Sequence, residues 1–150
     1  RRVPALVTRA VRRRAVVAML AALAASSIAP ASLAQDPRAV QAQEVARGWL
    51  ALADRQDADA THRAAGAKFR EALTVERWRE ALARERGPLG ELVQRTVVST
   101  KLTRTLPGQP DGDYALVAFR SSWAGRSLGR ELVSLEYEGA RWRVIGYVIQ

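Results

Sequence analysis

The sequence predicts an α+β protein in which three N-terminal helices pack on a four-stranded, curved antiparallel sheet. Apolar residues recur at helical spacing up to about residue 86, whereas β-branched and alternating residues dominate from Glu91 onward. Short turn sequences separate the stranded runs, and short connections between consecutive strands favour antiparallel hairpins. Helices followed by strands, rather than alternating with them, are typical of this class.

Three helices are predicted in the first part of this region. The first, over residues 38–54, carries one apolar stripe with Trp49 within it. The polar run DRQDAD ends it, and a second helix follows over residues 59–72. The third helix, over residues 75–86, begins after Thr74, whose side chain can accept a hydrogen bond from the free N–H groups of the first turn.

Four strands are predicted in the second part. The turn sequences PGQPDGD, AGRSLG and EGA separate them. Their expected ranges are 92–104, 113–123, 130–138 and 141–149. In the third strand, the more apolar set of alternating residues is expected to face the helices. That set is Glu131, Val133, Leu135 and Tyr137.

Glu131 is the most informative residue in this set. A buried carboxylate without a partner costs several kcal/mol, so we expect an arginine beside it. Arg86, Arg95 and Arg120 are the candidates, and Arg86 and Arg95 could both converge on Glu131 and hold the helical layer to the sheet. Aromatic residues on apolar stripes are mostly core, but a curved sheet can leave a cleft lined by such rings. The candidate ligand-binding residues are therefore Arg86, Arg95, Trp123, Glu131 and Tyr147.

Residues 1–34 have the layout of a secretory signal peptide. Six arginines and no acidic residue occur in this segment, and the apolar run AVVAMLAALAASSIA precedes Ser32 and Ala34, which suit a cleavage site. The run is shorter than the roughly 20 residues of a membrane-spanning helix. We expect cleavage between Ala34 and Gln35, which gives a periplasmic or secreted bacterial protein with a single domain over residues 35–150. Contact with a membrane is expected only through this export signal.

The charge and composition exclude several classes of function. The full chain has a formal charge of +9, but residues 35–150 contain 18 basic and 15 acidic residues, a net charge of +3. Binding of nucleic acid without sequence preference needs a concentrated basic stripe, so we expect no nucleic-acid partner. With no cysteine and one histidine, His62, zinc sites and nucleophilic triads are close to excluded, and we expect no cofactor and no metal. Carboxylate acid–base chemistry stays open.

The sequence GPLG at residues 87–90 superficially suggests a phosphate-binding loop. Such loops present N–H groups to an anion at the start of the following helix, whereas here the helix precedes the loop. Pro88 also removes one N–H donor. We therefore interpret Gly87 as the end of the third helix and Pro88 as the barrier to its continuation.

A specific combination of residues and turns spans residues 42–149. It comprises Trp49, Asp54, Phe69, Thr74, Trp78, the 86–90 turn, Arg95, Pro107, Gly108, the DGDY sequence at 111–114, Glu131, Gly139, Trp142, Gly146 and Tyr147. In this combination the chain resembles an uncharacterised bacterial family, the domain of unknown function 4019. The resemblance implies a small exported or membrane-tethered domain. The order of elements is also similar to the cone-shaped folds of the nuclear-transport-factor-two and cystatin types, as an analogy of architecture.

The leading hypothesis is a non-enzymatic module that binds a small ligand or an envelope protein through the concave face of its sheet or the adjoining turn. One alternative is a cone-fold isomerase or hydrolase that uses Glu131 with Tyr147 or Tyr137, which requires a solvent-accessible cavity beside these groups. Two hydrogen bonds from an arginine to Glu131, with no such cavity, would exclude this enzyme. The other alternative is a purely structural envelope component with a solid core.

Overall fold

The computed structural model describes residues 35–150, which form four α-helices and a four-stranded, open antiparallel sheet. The helices are α1 (Pro37–Asp54), α2 (Ala58–Ala64), α3 (Ala67–Ala72) and α4 (Val75–Glu85). The strands are β1 (Leu92–Thr103), β2 (Tyr114–Trp123), β3 (Arg126–Glu138) and β4 (Arg141–Ile149), paired in the order β1-β2-β3-β4. The predicted α+β class and antiparallel pairing are confirmed. The predicted signal peptide lies outside the described residues.

The prediction of one helix over residues 59–72 is wrong, because Ala65 and Gly66 divide it into α2 and α3. Both residues are extended, with ψ angles of 161° and 167°. The N–H of Gly66 donates to the carbonyl oxygen of Val144 in β4 at 2.7 Å. A Cβ at Gly66 would lie 3.1 Å from side-chain atoms of β4, so glycine permits the close approach. The break attaches the helical layer to the edge of β4.

α4 begins where the third helix is predicted and ends one residue before the predicted end. The side chain of Thr74 accepts a hydrogen bond from an N–H of the first turn at 3.3 Å, which confirms the predicted cap. The α-helix ends at Glu85, and Gly87–Leu89 then forms one 3-10 turn. Gly90, which follows this turn, has a left-handed φ of +73° that glycine adopts without strain.

β3 begins at Arg126 instead of at residue 130. The turn between β2 and β3 contains only residues 124 and 125, because Arg126 already pairs with Trp123 of β2. The N–H of Gly125 donates to the carbonyl oxygen of Leu89 at 2.8 Å. A Cβ at Gly125 would lie 2.8 Å from the carbonyl oxygen of Pro88, so only glycine fits this contact without movement. The β2–β3 hairpin therefore packs directly on the 3-10 turn.

The helices cover one face of the sheet, and Trp49 of α1 lies at the centre of the aromatic part of the core. Its ring centroid is 6.0 Å from that of Phe69, 5.7 Å from that of Trp78 and 5.3 Å from that of Tyr147. Residues 35–150 form one compact unit that contains this core. Among the helices of the described residues, none combines the length and apolar character required to cross a membrane.

The helix-facing side of β3 agrees with the prediction at three of its four positions. Glu131, Val133 and Leu135 are fully buried. Tyr137, the fourth residue, is 38% exposed and packs against Trp142 with 5.2 Å between ring centroids. The buried part of this face therefore ends between Leu135 and Tyr137.

Candidate functional site

A buried network of two arginines and two carboxylates lies where the C-terminal ends of α1 and α4 meet the sheet. We call it the buried charge network; its members are Asp54, Arg86, Arg95 and Glu131. The side chains are 19%, 3%, 8% and 0% exposed, in that order. Because the two positive and two negative formal charges cancel, these four residues can be buried together without an unbalanced charge.

Glu131 has both carboxylate oxygens bonded to protein donors. Arg95 donates from Nε to Oε2 at 2.6 Å and from Nη2 to Oε1 at 3.0 Å. The hydroxyl of Ser121 donates to Oε2, and the phenol of Tyr147 donates to Oε1. Donors from β1, β2 and β4 thus converge on one carboxylate of β3. The predicted pairing of Arg95 with Glu131 is confirmed.

Asp54, the last residue of α1, connects the two arginines. Arg95 donates from Nη1 to Oδ2 at 2.7 Å and from Nη2 to Oδ1 at 2.9 Å. Arg86 donates from Nε to Oδ1 at 3.2 Å and from Nη1 to the carbonyl oxygen of Gly90 at 2.6 Å. The expectation that Arg86 contacts Glu131 is wrong, because its guanidinium is held by Asp54 and the 3-10 turn. Arg120 is exposed and lies outside the network.

The carboxylates of the network and burial together fix the protonation states of Arg95 and Tyr147. Burial alone would lower the pKa of Arg95, but its hydrogen bonds with Asp54 and Glu131 and their negative charges raise it above its ordinary value. Burial raises the pKa of the Tyr147 phenol well above its ordinary value, and the charge of Glu131 and the hydrogen bond to it add to this effect. Tyr147 therefore remains a hydrogen-bond donor and Arg95 remains a cation.

The raised pKa of Tyr147 predicts a loss of stability at alkaline pH. The contribution of the protonated Tyr147 to the free energy of unfolding is fully present below the pKa of an unfolded tyrosine, which is about 10. It is lost as the pH rises above this value towards the pKa in the folded protein. We expect the free energy of unfolding to fall more steeply from about pH 9 to about pH 11 in the wild type than in Tyr147→Phe. Urea unfolding at these pH values measures the two slopes, and parallel slopes would contradict the assignment.

Trp123 is a buried neighbour of the network. It is 2% exposed, and the guanidinium carbon of Arg86 lies 5.9 Å from its ring centroid. A Cβ at Gly129 would lie 2.7 Å from Cζ3 of Trp123, so the strand passes closely over the ring. Its Nε1 has no hydrogen-bond partner within the part of the chain that the structure describes. The ring therefore fills space beneath the network rather than lining an open cleft.

An open apolar groove of about 300 Å³ lies between α4 and β4, next to the network. We call it the α4–β4 groove. Arg86 and Tyr147 are the two sequence-predicted site residues that line it. The other lining residues are Leu73, Trp78, Ala81, Leu82, Glu85, Val148 and Ile149. Arg95, Trp123 and Glu131 are not among its lining residues.

The carboxylate and tyrosines of the enzyme hypothesis do not form an accessible acid–base pair. Glu131 is 0% exposed and accepts hydrogen bonds from three residues. Tyr137 packs on Trp142, and the guanidinium carbon of Arg38 lies 4.7 Å from its ring centroid. A substrate could meet Glu131 only if Tyr147, Ser121 or Arg95 released it.

Two residues that bond to the predicted charged residues, Asp54 and Ser121, are not among the candidate site residues of the sequence analysis. Asp54 lies at the start of the run DRQDAD, and it is named in the family resemblance but not as a partner of an arginine. Ser121 is 2% exposed on the helix-facing side of β2. The alternation of residues in a strand places a serine on a face, but it does not show whether the hydroxyl bonds to another side chain. A signal for Asp54 did exist, since two buried arginines require more than one carboxylate.

His62 and the acidic residues do not form a metal site in residues 35–150. The Nε2 atom of His62 lies 2.7 Å from the carbonyl oxygen of Leu73, at the end of α3. Within these residues, no group of three or more His, Asp and Glu side chains is arranged to hold a metal ion.

Comparison with known proteins gives one match. A family model described as "Protein of unknown function (DUF4019)" matches residues 45–147, which is more than half of the chain. This range contains the whole buried charge network and most of the residues that line the α4–β4 groove. The searches of curated proteins and of solved structures found no match.

Proposed function

The chain belongs to the DUF4019 family of proteins of unknown function, and we propose that it is an exported, non-enzymatic binding module of the bacterial cell envelope. We place its ligand, a small apolar molecule, in the α4–β4 groove. The observation that carries the proposal is the composition of this groove, where aliphatic and aromatic side chains surround Tyr147. Ligand sites are commonly concave and mostly apolar, with a few fixed polar groups.

The buried charge network supports this position because it holds two walls of the groove in place. Tyr147 cannot rotate without losing its hydrogen bond to Glu131, and Arg86 is held by Asp54 and Gly90. Walls that are ordered before binding reduce the entropy that a ligand must offset. By contrast, the helix-facing side of the sheet is filled by core residues such as Phe119 and Val133. The proposed site therefore lies beside the sheet rather than on its covered face.

A protein segment is a second candidate ligand, because β4 is an edge strand. Gln150 exchanges two backbone hydrogen bonds with Arg130, so alternation directs the backbone groups of Tyr147 and Ile149 away from β3. An extended segment of an envelope protein can pair with such an edge and place apolar side chains in the groove. This candidate predicts contacts to the backbone of β4 in addition to the groove.

The groove is tested by blocking it with a large side chain. Nile red, a neutral apolar dye, is expected to bind residues 35–150 saturably, and Ala81→Trp should weaken binding at least about tenfold, because Ala81 lines the groove. Ala83→Trp, at an exposed position of the same helix, is the control and should bind as the wild type does. Equal binding by both variants would exclude the groove as the site.

Export from the cytoplasm is also part of this proposal. The basic, apolar and small-residue order of residues 1–34 supports export. Expressed from its natural gene, the protein should occur in the periplasmic or secreted fraction and begin at Gln35, and an uncleaved cytoplasmic product would contradict this.

A cone-shaped fold is the last part of the proposal. Register shifts in all three strand pairs support a curved, cone-shaped sheet. An experimental structure with a flat sheet would contradict the cone.

A further inference from the structure

Two arginines lie side by side on the face of the sheet that the helices do not cover. Arg120 of β2 and Arg130 of β3 are directly paired in the strand register, and both are exposed. Neither side chain has an ion pair or a hydrogen bond with any residue from 35 to 150. Like charges placed directly opposite each other destabilise a sheet. The pair therefore does not contribute to the stability of the fold in the way that the buried charge network does.

The surroundings of Arg120 contain further hydrogen-bond donors. A shallow groove of about 440 Å³ lies beside it. Thr96, the register partner of Arg120 on β1, lines this groove. The other polar side chains in its lining include Gln94, Ser122 and Ser127. Guanidinium, hydroxyl and amide donors on one concave surface suit the oxygen atoms of a phosphate group.

Exposed aliphatic side chains flank the arginine pair on the same face. Leu128, two residues before Arg130 in β3, is 62% exposed, and Val98 of β1 is 51% exposed. Both line the groove. On the other side, Val148 is 50% exposed and pairs with Leu132, two residues after Arg130. Cationic and exposed apolar side chains together are typical of surfaces that contact the interface of a membrane.

We propose that this face, centred on Arg120 and Arg130, binds the phosphate headgroups of anionic lipids at a membrane surface. The two guanidinium groups share a headgroup phosphate, while Val98, Leu128 and Val148 contact the apolar part of the interface. A second copy of the chain is a poor occupant, because a twofold axis near the pair would place four arginines together. Of the residues named for this face, only Val148 also lines the α4–β4 groove, and neither arginine does.

The test uses residues 35–150, which form the compact unit and core described above, so that the charge of the basic segment 1–34 does not contribute to vesicle binding. Co-sedimentation is measured with vesicles of phosphatidylglycerol and phosphatidylcholine and with phosphatidylcholine alone. The double variant Arg120→Gln/Arg130→Gln should partition onto the mixed vesicles about 25-fold less than the wild type, because each arginine contributes a factor of about five. The control Arg63→Gln/Arg77→Gln loses the same charge from exposed helix positions and should lose less than about threefold.

Three results would overturn the proposal. Equal losses in the two double variants would show attraction by net charge alone. Binding of inorganic phosphate without binding to anionic vesicles would show a site for a free anion. Binding of a DNA oligonucleotide without binding to anionic vesicles would show a different partner. The melting temperature of Arg120→Gln/Arg130→Gln should not fall, since the substitution removes a repulsive pair, so weaker binding cannot be attributed to unfolding.

Discussion

Replacing Arg95 by methionine is expected to lower the free energy of unfolding by about 3–5 kcal/mol. The guanidinium of Arg95 makes four hydrogen bonds, two with Glu131 and two with Asp54. Without it, the carboxylate of Glu131 stays buried with no cation in contact, and this is the costly state of a broken buried ion pair. Because small domains have only about 5–15 kcal/mol of stability, this loss brings the protein close to unfolding.

Urea unfolding measures this effect, and Arg84→Met provides a matched control. Arg84 also forms an ion pair, with Glu85 at 3.0 Å, but the two side chains are 70% and 61% exposed. Exposed pairs contribute about 0–1 kcal/mol, so the control should change the free energy of unfolding by less than about 1 kcal/mol. Similar small effects of both substitutions would show that Arg95 does not stabilise the fold.

Replacing Trp49 by alanine is expected to cost about 3–5 kcal/mol of stability. The ring is 3% exposed and contacts aromatic rings from α3, α4 and β4. Its Nε1 also donates to the carbonyl oxygen of Thr61 at 3.0 Å. The substitution leaves a large cavity between the helices and the sheet, next to the ring of Tyr147.

The control for this prediction is Trp49→Phe, which keeps an aromatic ring but loses the hydrogen bond to Thr61. We expect a loss of about 1–2 kcal/mol for the phenylalanine variant, since it leaves a smaller cavity than alanine does. The carbonyl oxygen of Thr61 also keeps the hydrogen bond that it accepts from the N–H of Ala65 at 3.0 Å. Urea unfolding gives the free energies, and near-ultraviolet circular dichroism reports the packing of the aromatic cluster. Equal losses in the two variants would show that ring packing is not the main contribution.

The class of the fold could be predicted from the sequence because its signals are local. The stripe on α1, the cap at Thr74 and the alternation in the strands each depend on neighbouring residues. The break between α2 and α3 could not be predicted, because Gly66 leaves the helix to bond with Val144 of β4, far away in the sequence. The early start of β3 likewise depends on contacts of Gly125 with the 3-10 turn.

The candidate site was predictable in part for the same reason. Alternation in β3 placed Glu131 on a covered face, and a buried carboxylate requires a cation, which gave Arg95. The choice between arginines depended on distances that the sequence does not contain. Arg86 reaches Asp54 rather than Glu131, because both residues lie at the ends of helices that meet above the sheet.

These contacts separate the structural residues from the proposed binding surface. Arg95, Glu131 and Asp54 bond to one another and to neighbouring protein groups, so they have little capacity left for a ligand. Tyr147 belongs to both parts, because its hydroxyl bonds to Glu131 while its side chain lines the α4–β4 groove. Substitutions in the network should therefore reduce stability first, and change binding only through the position of Tyr147.

The most direct test of this account is the coupling free energy between Arg95 and Glu131. Urea unfolding of the wild type, Arg95→Met, Glu131→Gln and the double variant gives this quantity. We predict a coupling of about 2 kcal/mol, because the double variant removes both charges and leaves the pair of Arg86 and Asp54 balanced. A coupling below about 0.5 kcal/mol would contradict the account, because the two side chains would then act independently.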